Sequence, residues 1–299
     1  MVTRTFYRLF NTRVISLKLQ IGMNKLLNTR TFIFVFIIAF SFMVGAPAFA
    51  QEEVKVKVSA GFDYSAGDYG QTVDTEISYF PVITQATYGN WTTKLTVPYL
   101  RIRGPGTVIG GGGGVVVCED ISGKEDLCSV VPTNAVTTES GLGDIIGALT
   151  YTVDVAKYDL FLDFTGKIKF PTADEDKRLG TGETDYTIQM DATKMFGSSY
   201  IFGGVGRRFV GDNEQFQLND IWLFNAGAGY QVNKKFGVGV AYDFRESAST
   251  AEDASEATGY LTYKVTDSIT TMLYGVAGFS DGSPDASIGL QVSYKFEPF

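Results

Sequence analysis

From Val54 to Phe296, apolar and polar side chains alternate in twelve runs, most of them ten residues or longer. The last run is the plainest. Ile288, Leu290, Val292, Tyr294 and Phe296 fall on one parity, and Ser287, Gly289, Gln291, Ser293 and Lys295 on the other. Successive side chains of a strand point to opposite faces, so each run makes a strand with one apolar and one small or polar face. No stretch after residue 50 holds the roughly 18 unbroken apolar residues of a membrane helix. Two architectures use such strands. A soluble sandwich buries the apolar faces between two sheets, whereas a transmembrane barrel turns them to lipid and the polar faces to a wet lumen.

The connections decide between them. The runs are Val54–Tyr64, Thr72–Thr87, Trp91–Arg103, Gly143–Val153, Asp159–Phe170, Glu183–Thr193, Tyr200–Val210, Asn219–Val232, Phe236–Arg245, Glu256–Val265, Ser268–Phe279 and Ala286–Phe296. Longer loops and short turns join them in strict alternation, six of the first and five of the second. Short turns at one end and longer loops at the other, on an even number of long strands, predict a single transmembrane antiparallel up-and-down β-barrel of about 12 strands. Trp91, Tyr99, Tyr158, Phe170, Tyr200, Trp222, Phe236 and Phe296 gather at strand ends, as interfacial girdles require. In the second strand Val73, Ile77, Tyr79 and Ile83 form the apolar parity, and Pro81 predicts a bulge or bend because it cannot donate to a ladder.

Residues 1–50 read as a targeting segment. Lys25 and Arg30 precede an apolar run from Thr31 to Val44, and Ala48-Phe49-Ala50 supplies a cleavage site between Ala50 and Gln51. Met23 is an alternative start, and an uncleaved anchor is the alternative outcome. Residues 51–299 form the barrel domain. Cleavage removes six of the 25 cations (Arg4, Arg8, Arg13, Lys18, Lys25 and Arg30) and none of the 33 anions, leaving a net charge of −14. Nucleic acid is excluded as a partner, because phosphate binding needs a basic surface.

Gly104–Ser140 is the longest irregular stretch, with a glycine run at Gly110–Gly114. Segments of that length are functional or mobile, so it is the candidate gate. Cys118 and Cys128 lie within it, and in an oxidising compartment they are expected to close a disulfide. The chain has no His, so neither a His-based catalytic site nor a metal site is expected. No cofactor is expected either. A Ser-Lys arrangement and carboxylate pairs such as Asp163 with Asp185 are possible in principle, but charges in a wet lumen explain them more simply.

Five short stretches carry a resemblance: Val97-Pro98-Tyr99, Gly141-Leu142-Gly143-Asp144, Lys169-Phe170-Pro171-Thr172, Leu179-Gly180-Thr181-Gly182 and Ser283-Pro284-Asp285. In order and spacing, over residues 51–296, they resemble the outer-membrane family labelled "putative MetA-pathway of phenol degradation". Ala173 stands where that pattern has Gly. The resemblance implies a channel-like barrel in the outer membrane of a Gram-negative-type bacterium, for small solutes, hydrophobic or aromatic compounds among them. Phe296, near the C-terminal end of the last strand, resembles the signal read by the barrel assembly machinery. Outer-membrane lipid is the other expected partner.

On the barrel reading, the inward faces carry Lys55, Lys57, Asp63, Lys94, Asp163, Lys167, Lys169, Asp185, Asp191, Asp243, Arg245 and Lys295. Both signs are present, which predicts a mixed lining without strong ion preference. Both termini are expected in the periplasm. With three residues before the first strand and three after the last, any gate has to come from a loop. A plugged lumen serving a structural or surface-interaction role is the alternative.

Overall fold

The computed structural model describes residues 53–111, 114–117, 136–211, 218–249 and 251–296. The expected signal peptide, its cleavage site at Ala50–Gln51 and the Cys118–Cys128 disulfide lie outside the described residues.

Fifteen strands are present among the described residues. The first seven are β1 (Lys55–Gly67), β2 (Thr75–Tyr88), β3 (Trp91–Gly104), β4 (Val108–Gly111), β5 (Gly114–Val117), β6 (Thr137–Leu142) and β7 (Ile145–Val155). They are followed by β8 (Leu160–Phe170), β9 (Asp185–Phe196), β10 (Ser199–Phe209) and β11 (Ile221–Gln231). The last four are β12 (Phe236–Arg245), β13 (Ala254–Lys264), β14 (Ile269–Gly278) and β15 (Ala286–Lys295). Every neighbouring pair in the wall is antiparallel, and β1 pairs with β15, so the sheet closes on itself. β6 and β7 both pair with β3 and together make one wall strand. The result is the closed barrel of twelve wall strands that the alternating pattern predicts. Closure leaves no exposed edge, which is what allows strands to cross a bilayer.

The junction of β6 and β7 is a bulge. Leu142 faces Tyr99 and Ile146 faces Thr96, so Gly143, Asp144 and Ile145 stand opposite only Val97 and Pro98. The extra residue reverses the parity of the strand and turns Asp144 inward, where it is buried. The amide of Gly143 donates to the carbonyl of Pro98 at 3.0 Å. By contrast, the register between β2 and β3 runs without interruption through Pro81, which faces Pro98. The bulge, one of the two outcomes expected at Pro81, is therefore on another strand, and what Pro81 does is interrupt pairing with β1 between Ala60–Val82 and Asp63–Tyr79.

Outward side chains are apolar around the whole wall. Phe80, Val82, Leu149, Phe164, Ile188, Ile201, Phe224, Val240, Leu261, Leu273 and Leu290 are exposed on that face. Aromatic residues ring the short-turn end at Tyr88, Trp91, Tyr151, Tyr158, Tyr263 and Tyr294, with Trp91 and Tyr151 in contact at 4.7 Å between centroids. Two assignments differ from the sequence expectation. In β2 the outward parity begins at Phe80, while Ile77 is buried and Tyr79 is half-buried on the inward side. Glu76 then points outward near the long-loop end and pairs with Arg103 at 2.9 Å. Tyr200 is not a girdle residue either. It faces Gly229 on the inner parity, and its hydroxyl shares a hydrogen bond of 2.9 Å with Tyr260.

Candidate functional site

The long-loop end of the lumen is filled. The β4–β5 hairpin, inside the stretch read as irregular, folds inward so that Val108, Ile109 and Thr107 are all but inaccessible. Val108 and Val117 pack with Tyr69, Ile77, Leu100, Ile102 and Leu179. This is why β2 and β3 turn apolar residues inward near the long-loop end: they meet the hairpin, not water. Gly110 is required where the hairpin crosses the 171–182 segment. A Cβ there would lie 2.9 Å from the Leu179 carbonyl oxygen and 3.0 Å from Leu100 Cδ1. The Gly110 amide donates to the Arg178 carbonyl at 3.1 Å, and the Arg178 guanidinium returns a bond to the Gly106 carbonyl at 2.5 Å. Across the lumen the Ser249 hydroxyl donates to the Val117 carbonyl at 2.5 Å.

Behind the hairpin lies a buried charge cluster in the wall. Lys169 Nζ is 3.0 Å from Asp185 Oδ2 and 3.5 Å from Asp144 Oδ2, and it donates to Thr181 Oγ1 at 3.2 Å. The other oxygen of Asp144 accepts from the amides of Thr172 and Ala173 at 3.1 and 3.0 Å. Three of the five short sequence stretches thus converge on one place. The bulge delivers Asp144, β8 delivers Lys169, and the 171–182 segment delivers Thr181. The buried Ser283 explains the fifth stretch: its hydroxyl accepts from the Ser255 amide at 2.8 Å and ties the connection between β14 and β15 to the start of β13.

The short-turn end is built differently. Four inward rings sit directly opposite glycines on the next strand: Tyr200 on Gly229, Phe202 on Gly227, Tyr260 on Gly239 and Tyr274 on Gly289. In each pair the ring occupies the space that a Cβ on the glycine would need. The rings therefore lie flat along the wall of β10–β15 and do not project across the lumen. A small, polar parity in the sequence becomes a strip of aromatic surface.

The register also sorts the inward charges. Lys295 faces Lys57, which faces Gln85, which faces Lys94. Lys94 faces Ala148, Ala148 faces Lys167, Lys167 faces Thr187, and Thr187 faces Arg208. This unbroken row carries a cation on every second strand from β1 to β10 and no carboxylate. Alternate strands put successive cations about 10 Å apart, and strand tilt makes the row climb around the barrel like a stair. A second row holds the acids: Asp163 faces Asp191, and further along Asn225 faces Asp243, which faces Glu256. On β8 the two rows are four residues, about 13 Å, apart at Lys167 and Asp163.

Of the twelve residues picked from the sequence, Lys57, Lys94, Lys167 and Lys295 lie on the cationic row, and Asp163, Asp191 and Asp243 on the acidic one. Lys169 and Asp185 belong to the buried cluster. Asp63 stands on β1 beside the Tyr274 ring, Arg245 ends β12 beside Gly114 of the hairpin, and Lys55 begins β1 in an exposed position. Sequence reading missed Asp144, Thr181, Arg208 and Glu256. Arg208 alternates correctly within its strand and could have been found. Asp144 could not, because a bulge reverses its parity.

A family model described as "Putative MetA-pathway of phenol degradation" matches residues 51–296. No curated protein matches the chain. Among solved structures, the COG4313 outer membrane channel from Pseudomonas putida F1 aligns with a TM-score of 0.59 at 12% identity, over 84% of this chain and 100% of that one. The translocator domain of the autotransporter NalP from Neisseria meningitidis aligns at 0.46 and 9% identity, over 90% and 96%. A structure titled CymD monoaromatic hydrocarbon channel aligns at 0.41 and 10% identity, over 83% and 89%. The first of these shares the fold described above.

Proposed function

This chain belongs to the "Putative MetA-pathway of phenol degradation" family, and on that premise we propose that it is an outer-membrane channel for passive entry of small molecules with an apolar body. The observation that carries the reading is the strip of inward rings held flat in glycine notches. It offers an apolar, sterically open wall inside a barrel whose outer surface is a lipid-facing belt. The twelve inward charged residues named above line the solute path or brace its mouth. Residues 1–50 act as a cleaved export signal, both termini lie in the periplasm, and Phe296 is read by the barrel assembly machinery. No part of this role needs catalysis.

The hairpin supports a second reading, a barrel plugged at its mouth. Val108, Ile109 and Leu179 are packed as a core is packed, and a permanently seated hairpin would make the protein structural. Single-channel recording on the detergent-refolded mature chain in a planar bilayer separates the two. Reproducible steps are expected from the wild type. Gly110→Val forces the hairpin off Leu179 and is expected to raise the open-state conductance several-fold. A folded, heat-modifiable protein that stays silent in both forms would refute passive passage and leave the plugged reading.

A further inference from the structure

We propose that the outward face of β2, β3 and β6 around Arg101 docks the phosphate of a lipid headgroup. This deepens the reading above, on which it rests for the surrounding membrane but not for passage. The ground is how the outward arginines at the long-loop end are satisfied. Among the described residues there are three, Arg101, Arg103 and Arg207. Arg103 pairs with Glu76 at 2.9 Å. Arg207 has Asp220 at 3.9 Å and Glu246 at 3.6 Å, and it lies 5.1 Å from the centre of the Trp222 ring. Arg101 is exposed, and no carboxylate of the described residues comes within 4.0 Å of it. Its neighbours in the strand, Leu100 and Ile102, are buried against the hairpin, so alternation fixes its side chain on the outer face. Glu139 faces Ile102 on the inner side, and Glu76, one rung away on the outer side, is held by Arg103. A guanidinium at the margin of a lipid-facing belt is costly without an anion. The anion that such surroundings supply is a headgroup phosphate.

The neighbours of Arg101 fit that anion. Arg101 stands opposite Ser78 on β2 and Ser140 on β6, so two hydroxyls flank it on the same face. Cross-strand neighbours on one face are about 5 Å apart, close enough for all three side chains to meet one phosphate. The guanidinium gives it two parallel N–H bonds and the hydroxyls donate further ones. One rung toward the short turns the same three strands present Phe80, Tyr99 and Leu142, all exposed. The polar rung therefore sits on the edge of the apolar belt, as a lipid's phosphate sits above its acyl chains. A free phosphate ion would meet the polar rung and gain nothing from the belt. With the long loops at the cell surface, the leaflet concerned is the outer one and the lipid is lipopolysaccharide, whose lipid A carries phosphates on its sugars.

Lipid A, and the same lipid after phosphatase treatment, test this. The mature chain in detergent is titrated with each, and bound copies are counted by native mass spectrometry. The wild type is expected to hold phosphorylated lipid A at least about fivefold more tightly than the dephosphorylated form. Arg101→Gln should lose that preference, whereas Arg207→Gln, which removes an arginine already paired, should keep it. Excess inorganic phosphate should not displace the lipid. Equal binding of the two forms, an equal loss in both variants, or displacement by inorganic phosphate overturns the proposal and leaves passive passage standing. In the planar bilayer Arg101→Gln should conduct as the wild type does. A silent barrel that binds lipid A through Arg101 supports the docking site and refutes passage. The wild-type comparison of the two lipids, with its phosphate competition, decides the matter even if a variant does not fold.

Discussion

The two ends of the lumen are made by the same twelve strands and the same alternation, yet they solve opposite problems. At the long-loop end inward side chains meet protein. Ile77, Leu100 and Ile102 pack on a hairpin, and Lys169 is sealed with two carboxylates. At the short-turn end inward side chains meet open space, and the wall is smoothed by laying rings on glycines. One face of a strand can therefore be a core toward the long loops and an open lining toward the short turns. Burial there is imposed by what enters the barrel, not by the strand.

The sharpest way to break the contrast is to strike the buried cluster. Lys169→Met leaves Asp144 and Asp185 without their cation in a site that water does not reach. Such losses cost about 3–5 kcal/mol. The expected result is a clear fall in the temperature at which the barrel loses its compact, heat-modifiable mobility on gels. A change within error would mean the cluster is hydrated and the filled end is not a core.

A smaller effect is expected at the other end. Gly229→Val removes the notch under Tyr200 and pushes the ring toward the lumen, breaking its bond with Tyr260. Conductance should fall about twofold, with stability changed by no more than about 1 kcal/mol. Loss of folding with no change in pore size among surviving molecules would show that the rings serve packing alone.

The smallest effect concerns Tyr69, which is buried at the filled end and held in the left-handed region at φ 53°. Burial pushes its phenol from 10.0 up to about 12. The folded state therefore keeps the proton where the unfolded chain gives it up. Stability from this group is complete below about pH 10 and declines as pH rises toward about 12. Melting profiles between those limits should flatten modestly in Tyr69→Phe relative to wild type. Identical slopes would place the Tyr69 hydroxyl in contact with solvent.

Much of the wall was legible before any coordinates. Alternation fixed the strands, and the rhythm of loops and turns fixed their order, because each residue on a strand has only two faces to choose between. The final strand illustrates this: Ile288 to Phe296 reads outward in sequence and is outward in the barrel. The second strand shows where the rule fails. Ile77 and Tyr79 are apolar and inward, since the inner face near the mouth is covered by a hairpin that local pattern does not announce. Glycine was legible only as small, and its use as a seat for a ring on the next strand depends on register.

The sequence by itself determined a closed β-barrel of twelve strands with an apolar outer face, since period-two patterning and connection lengths are local properties. The tertiary structure alone decided three things. Strands β4 and β5 enter the lumen, a bulge at Gly143-Asp144 joins three distant stretches around Lys169, and most of the inward charges separate by sign into two climbing rows. Each depends on which residue stands opposite which across strands far apart in the chain. That register is set by closure of the whole sheet and is written in no single segment.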